Sequence, residues 1–178
     1  IQMMRRSVKI VVVCLLLLGL IAGAGWLTYV TCTRTFEVDV PIAADDQTPG
    51  TLHKVEQIGT YTAAMFRLLV WWGDLPEPVS VRCGVRLYRV QYWTTTPNGK
   101  ATIASGLVCI PKTRATRGVI SYQHGTATNR HLTPSAPTLL ESGLGAAIFA
   151  AGGYILCAPD YVGLGVNREV HPYLHAQG

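Results

Sequence analysis

The sequence has no C-x-x-C pair, no basic run interleaved with aromatics, and few carboxylates. Each shortage excludes something. Five cysteines without close pairing rule out the compact thiolate set of a zinc or redox motif. Without an aromatic-studded basic run, nucleic acid is a poor partner, even though Lys and Arg outnumber Asp and Glu by 15 to 10 and the formal net charge is +5. Three of those cations, Arg5, Arg6 and Lys9, stand in the first nine residues, so the remainder is only mildly basic. What is abundant is apolar: 49% of 178 residues, enough for one domain with a core and not for two.

Ile10 to Val30 carries no charge across 21 residues, long enough to span a bilayer. The basic residues before it predict an N-terminus facing the cytoplasm. Two readings stand. Residues 1–30 are a signal anchor kept whole, or a signal peptide cleaved near Ala22-Gly23-Ala24. The run "GWLTYV" prolongs the apolar stretch past that point and favours the anchor. Both readings put the rest of the chain outside the cytoplasmic membrane, anchored or secreted, with the membrane as a partner through residues 10–30. Cys83, Cys109 and Cys157 sit in strand-like runs and read as buried thiols, although an exported chain permits a disulfide.

Residues 31–48 are polar and read as a linker or an extended lead-in. From residue 49 the pattern is that of a folded domain. "YTAAMFRLLVWW", Tyr61 to Trp72, predicts a short helix, packed on the domain or lying at the membrane surface. Val85–Thr95 alternates apolar and polar, Pro97-Asn98-Gly99-Lys100 is a tight turn, and Ala101–Ile110 returns as the second strand of a hairpin. Gly118–Tyr122 is a nearly all-apolar third strand, expected to be covered on both faces. A polar loop follows, then a helix over Thr138–Ala151 and a fourth strand in "YILCAPDYVGLG". Strand, helix, strand predicts a right-handed crossover with parallel pairing, and in such sheets chemistry sits at the carboxyl ends of the strands. Those ends are "YQHGTATNR" and "APDYVGLG".

A glycine after a buried strand lets the backbone turn and approach a ligand, and free N–H groups there can face a developing oxyanion. Blander roles stay open: His124 can simply hydrogen-bond the loop and hold its shape, and Asp160 can be a turn or cap residue. His171 and His175 have metal-ligand spacing but no third ligand nearby, and Gly163 and Gly165 lack the lysine of a phosphate loop.

Taken together, "YQHGT", "GGYILCAPDYVGLG" and "HPYLHA", with "PGTLHKVEQI" and "YWTTTPNGKATIASGLVCIPK" before them, resemble the secretory lipase family of α/β-hydrolases over residues 49–178. The resemblance implies the N-terminal part of an α/β-hydrolase fold and a serine lipase or esterase acting on carboxylic esters or lipids, without a metal or organic cofactor. Carried over by residue, Gly125 and Thr126 form the oxyanion-hole loop with Thr126 as backbone donor, His124 shapes the loop, and Tyr122, Asp160 and Tyr161 line the substrate pocket. The region of Tyr173 begins the helix towards the nucleophile strand.

One departure is large. None of Ser7, Ser80, Ser105, Ser121, Ser135 or Ser142 sits in the G-x-S-x-G elbow of that fold. The expectation is therefore a fragment that carries the oxyanion loop without the nucleophile, inactive by itself. A membrane-anchored, non-catalytic binding domain and an unrelated extracytoplasmic α/β module are the alternatives.

Overall fold

Asn98-Gly99 does what its dipeptide dictates. Gly99 takes φ +77°, Thr96 N–H donates to Lys100 O at 2.8 Å, and the chain reverses. The strands on either side, β3 (Val85–Thr95) and β4 (Ala101–Pro111), pair antiparallel without a break from Val85↔Pro111 to Thr95↔Ala101. This hairpin is the centre of a six-stranded mixed sheet. The computed structural model describes residues 19, 36–37, 46–72, 80–127, 129–136 and 143–173. Those from Phe36 onwards belong to one compact unit, Thr35–Gly178.

On one side of β3 lies β2 (Leu52–Tyr61), antiparallel, and beyond it the two-residue β1 (Phe36–Glu37). Within 31–48, expected to be a linker or an extended lead-in, the backbone of Phe36 and Glu37 pairs along the outer edge of β2. On the other side of β4 comes β6 (Ile155–Pro159), antiparallel, and then β5 (Val119–Ser121), parallel to β6. The order is β1-β2-β3-β4-β6-β5. The parallel pairing expected of the strand–helix–strand unit is present. The third strand is shorter than the apolar run suggested, though Tyr122 N–H still bonds Cys157 O at 2.8 Å. It is also not covered on both faces, since Val119 and Ser121 are exposed. β4 and β6 approach closely at Gly106, where a Cβ would stand 2.9 Å from Ala158 O.

The core lies where α1 (Ala63–Trp72) and α2 (Gly143–Ala151) meet the sheet. Thr62 caps α1, its Oγ1 accepting from Met65 N–H at 3.3 Å. Phe66 then points inward, fully buried, its ring 5.7 Å from that of Tyr61. Ala147, Ala150 and Ala151 let α2 sit close against Leu107, Cys109 and Leu156. Burying a side chain the size of Phe66 or Leu107 stabilises by about 1.5–3 kcal/mol. Cys109 is buried, and burial, with the Cys157 thiol nearby, pushes its pKa up to about 12. Cys83, Cys109 and Cys157 are all free thiols.

Thr138–Ser142, the expected start of the second helix, lies outside the described residues, as does the apolar run Ile10–Val30 apart from Gly19. Among the described residues no helix is long and apolar enough to cross a membrane.

Candidate functional site

Two loops leave the carboxyl ends of the parallel pair. The first, 122–127, follows β5; the second, 160–173, follows β6. Side chains of each bond the other. Tyr161 Oη donates to Gln123 Oε1 at 2.6 Å, and Tyr173 Oη donates to Ala127 O at 2.7 Å. The rings of His124 and Tyr161 lie 4.5 Å apart, and Tyr173 meets His171 edge-on at 4.2 Å. Tyr161 holds φ +69°, a left-handed conformation that a non-glycine residue adopts only when its surroundings fix it. Partial burial raises its phenol pKa.

His124 faces two carbonyl oxygens, Gly125 O from Nδ1 at 2.7 Å and Asp160 O from Nε2 at 3.3 Å. A neutral ring supplies one N–H for such bonds and a protonated ring supplies two. Neither nitrogen is therefore turned towards a substrate. Gly125 and Thr126 are exposed, and among the described residues no hydrogen bond engages the backbone N–H of either. A Cβ at Gly125 would meet nothing within 4 Å.

The second loop is tied from beneath. Asn167, buried, accepts from Gly163 N–H and Glu169 N–H at 2.9 Å each. Its amide donates to Thr102 Oγ1 at 2.9 Å and to Ile103 O at 2.7 Å in β4. Gly163, at φ +86°, presses against the backbone of His171, where any Cβ would collide. His171 Nδ1 is engaged by Val162 O at 2.6 Å. Among the described residues no three metal-ligating side chains converge, and His175 lies outside them.

Asp160 is fully buried. Its Oδ2 accepts from Ser105 Oγ at 2.6 Å and from Ser135 Oγ, and its Oδ1 accepts from Ser135 N–H at 3.0 Å. Ser105 Oγ in turn accepts from Val166 N–H at 3.1 Å. The carboxylate thus joins β4, the loop around Ser135 and the loop after β6. Burial raises the pKa of Tyr92, and the charge of Asp160 raises it further. Ser105 and Ser135 cannot attack a substrate from here, since both are buried and hold a carboxylate.

A cleft of about 350 Å³ opens beside the two loops, lined by Ala127, Arg130, Arg168, Glu169, His171 and Tyr173 among others. Tyr122, Asp160 and Tyr161 do not line it. Tyr122 packs on the hydrophobic core instead. Ser105, Ser135 and Asn167 are the residues that sequence reasoning missed. Ser105 stands out only as a hydroxyl in an apolar strand, Ser135 and Asn167 do not stand out in their polar loops, and the partners of all three lie 25 to 65 residues away.

No protein-family profile and no curated protein matches the chain. Solved structures do. A protein of Legionella pneumophila assigned as a hydrolase is 33% identical, with a TM-score of 0.58 over 68% of this chain and 33% of its own. The rice cell wall degrading esterase LipA of Xanthomonas oryzae is 25% identical, with a TM-score of 0.59 over 72% of this chain and 33% of its own. Its ligand-bound form matches equally, with a TM-score of 0.57. The chain spans about a third of the length of these structures. With its mixed sheet and its paired loops at the carboxyl ends of β5 and β6, the chain has a partial α/β-hydrolase-like fold.

Proposed function

We propose that the chain supplies the oxyanion-hole portion of a carboxylic ester hydrolase that works by serine acyl transfer. One observation carries this reading. Gly125 and Thr126 are exposed, and among the described residues no hydrogen bond engages their backbone N–H groups, on a loop braced by His124, Tyr161 and Tyr173. An ester carbonyl placed over that loop gains charge on oxygen as it is attacked, and Thr126 N–H is the donor that meets it. Rigid donors of this kind work because they do not reorganise during the reaction. Gly125 keeps the approach open. His124 acts on the loop, not on the substrate proton.

The nucleophile comes from outside these 178 residues, as does the second donor, which in this fold follows the nucleophile. The similarity to an esterase and a hydrolase supports the reaction class. The uncharged run Ile10–Val30 behind Arg5, Arg6 and Lys9 supports a position outside the cytoplasmic membrane, which a reporter fused to the C-terminus would read out.

The test uses p-nitrophenyl esters. The 178-residue chain is expected to show no turnover. Joined to the nucleophile-bearing strands and helices of this fold, fused or co-expressed, it is expected to turn them over. There, Gly125→Val keeps every N–H, but its β-branched side chain covers the approach to Thr126 N–H, so kcat should fall by up to about a hundred- to a thousand-fold, as when one donor is lost. Turnover by the 178-residue chain that survives Gly125→Val would overturn the reading.

A further inference from the structure

The other ends of β5 and β6 carry a different chemistry. Three segments meet there, 80–84, 111–118 and 150–154. Lys112 N–H bonds Gly84 O at 2.8 Å, Arg117 N–H bonds Gly153 O at 2.9 Å, and Arg82 N–H bonds Ala151 O at 2.8 Å. Between them runs a groove of about 210 Å³ lined by Arg82, Cys83, Lys112, Arg117, Gly152 and Gly153, among others. The three segments hold Arg82, Lys112, Arg114 and Arg117 and not one Asp or Glu. Among the described residues no carboxylate lies within ion-pair distance of any of the four, as is also true of Arg67, Arg86, Arg130 and Arg168, whereas Lys54, Arg89 and Lys100 each have one.

Two bland explanations fail. The cations do not cap α2, because its last carbonyls are taken by backbone amides of Arg82, Cys83, Gly152 and Gly153. Nor are the two arginines at the groove loose ends, although all four cations are exposed. The Arg117 side chain packs on Gly153, its guanidinium 5.0 Å from the Tyr154 ring centroid, and Arg82 Nε is held by Ser80 Oγ at 3.2 Å. Each guanidinium keeps most of its five N–H donors free. Cys83 adds no negative charge, since burial raises its thiol pKa.

We propose that this groove binds a phosphate group, from a free phosphate or a lipid headgroup. Its size admits one tetrahedral oxyanion with its waters and little more. Forked guanidinium donors beside a lysine are the side chains that recognise such a group. The site is independent of the ester reading, since it lies at the opposite end of the strands.

Calorimetric titration of the 178-residue chain with inorganic phosphate tests it. Binding is expected in the millimolar range, as exposed cations dictate, and K112E should weaken it about tenfold. R86E, an equal charge change at exposed Arg86 in β3, should leave it unaltered. Near-UV circular dichroism confirms that both variants keep the fold. Vesicles of phosphatidylcholine with phosphatidylglycerol form the second arm. Because Ile10–Val30 can itself enter a bilayer, that arm is read as the difference between the parent chain and K112E. A difference that phosphate abolishes identifies the lipid headgroup. Phosphate binding without such a difference identifies the free ion. No binding of phosphate, or equal weakening by R86E, overturns the proposal.

Discussion

Replacing Asp160 by alanine should come close to unfolding the domain. The carboxylate has no exposure and accepts from two hydroxyls and one amide. Alanine leaves all three donors buried without an acceptor. Each such loss is worth about 1–3 kcal/mol, and because the three share one centre they sum to about 3–5 kcal/mol, not to the full total. That is a large part of the roughly 5–15 kcal/mol that holds a domain together. Asparagine behaves differently. Its Oδ1 still accepts from Ser135 N–H. Its amide nitrogen, where Oδ2 stood, donates to the oxygens of Ser105 and Ser135, whose hydrogens rotate away. Only those two hydrogens lose an acceptor, and a buried charge without a counter-cation is removed, so Asp160→Asn should cost about 1–2 kcal/mol. Urea unfolding followed by tryptophan fluorescence measures both. The midpoint should fall much further for alanine than for asparagine, with similar slopes. An alanine variant within about 1 kcal/mol of the parent, or an asparagine variant as unstable as alanine, would refute the assignment of Asp160 as the tie between these segments.

Gly165→Ala should destabilise, because φ is +58° and a Cβ would collide with Asp160 Oδ2 and Ser105 Oγ. The backbone accounts for about 1–2 kcal/mol and the overpacking for about 1–3 kcal/mol, a melting temperature lower by about 2–4 °C per kcal/mol. Gly125→Val, with open space around it, should melt at the parent temperature, so its effect on turnover reports on the site alone. Val119, 68% exposed on the edge strand, makes the 178-residue chain prone to self-association; Val119→Lys should reduce it in light scattering, and unchanged scattering would remove the edge as the cause. Cys109, fully buried and with its pKa pushed up to about 12, should resist iodoacetamide at pH 8 in the native chain while the partly exposed Cys83, its own pKa raised by burial, reacts slowly; equal labelling would show that the core opens.

The hairpin was legible because two local signals agree. Val85–Thr95 alternates at a period of two, and Asn98-Gly99 fixes the turn, so both strands fall within a residue of expectation. The parallel β5–β6 pair was legible for a topological reason, a short helix between apolar strands. β1 was not, since two residues that pair only through their backbone leave no side-chain pattern. The candidate loop stands where the sequence puts it, after β5. The network beneath it could not be read. Asp160 follows a proline and looks like a turn residue, and nothing local says that Ser105, 55 positions earlier, donates to it. Asn167 likewise gives no hint of reaching Thr102. Long-range polar contacts obey geometry that only the folded backbone creates.

The sheet also has an order in time. β3 and β4 close a loop of five residues, Thr96–Lys100, and a hairpin of that kind forms in about 1–10 μs. β5 can meet β6 only after the chain between Ser121 and Ile155 has folded back and α2 has docked. Contacts so separated form slowly, because the entropy of closing the intervening chain is lost before any bond rewards it. The seam holding His124, Gly125 and Thr126 is therefore among the last parts to assemble, and with β5 only three residues long it is among the first to open. Amide hydrogens of β3 and β4 should outlast those of β5 in exchange. The exposed loop of Gly125 and Thr126 then takes its shape only once everything else is in place, so it reports on the integrity of the whole sheet.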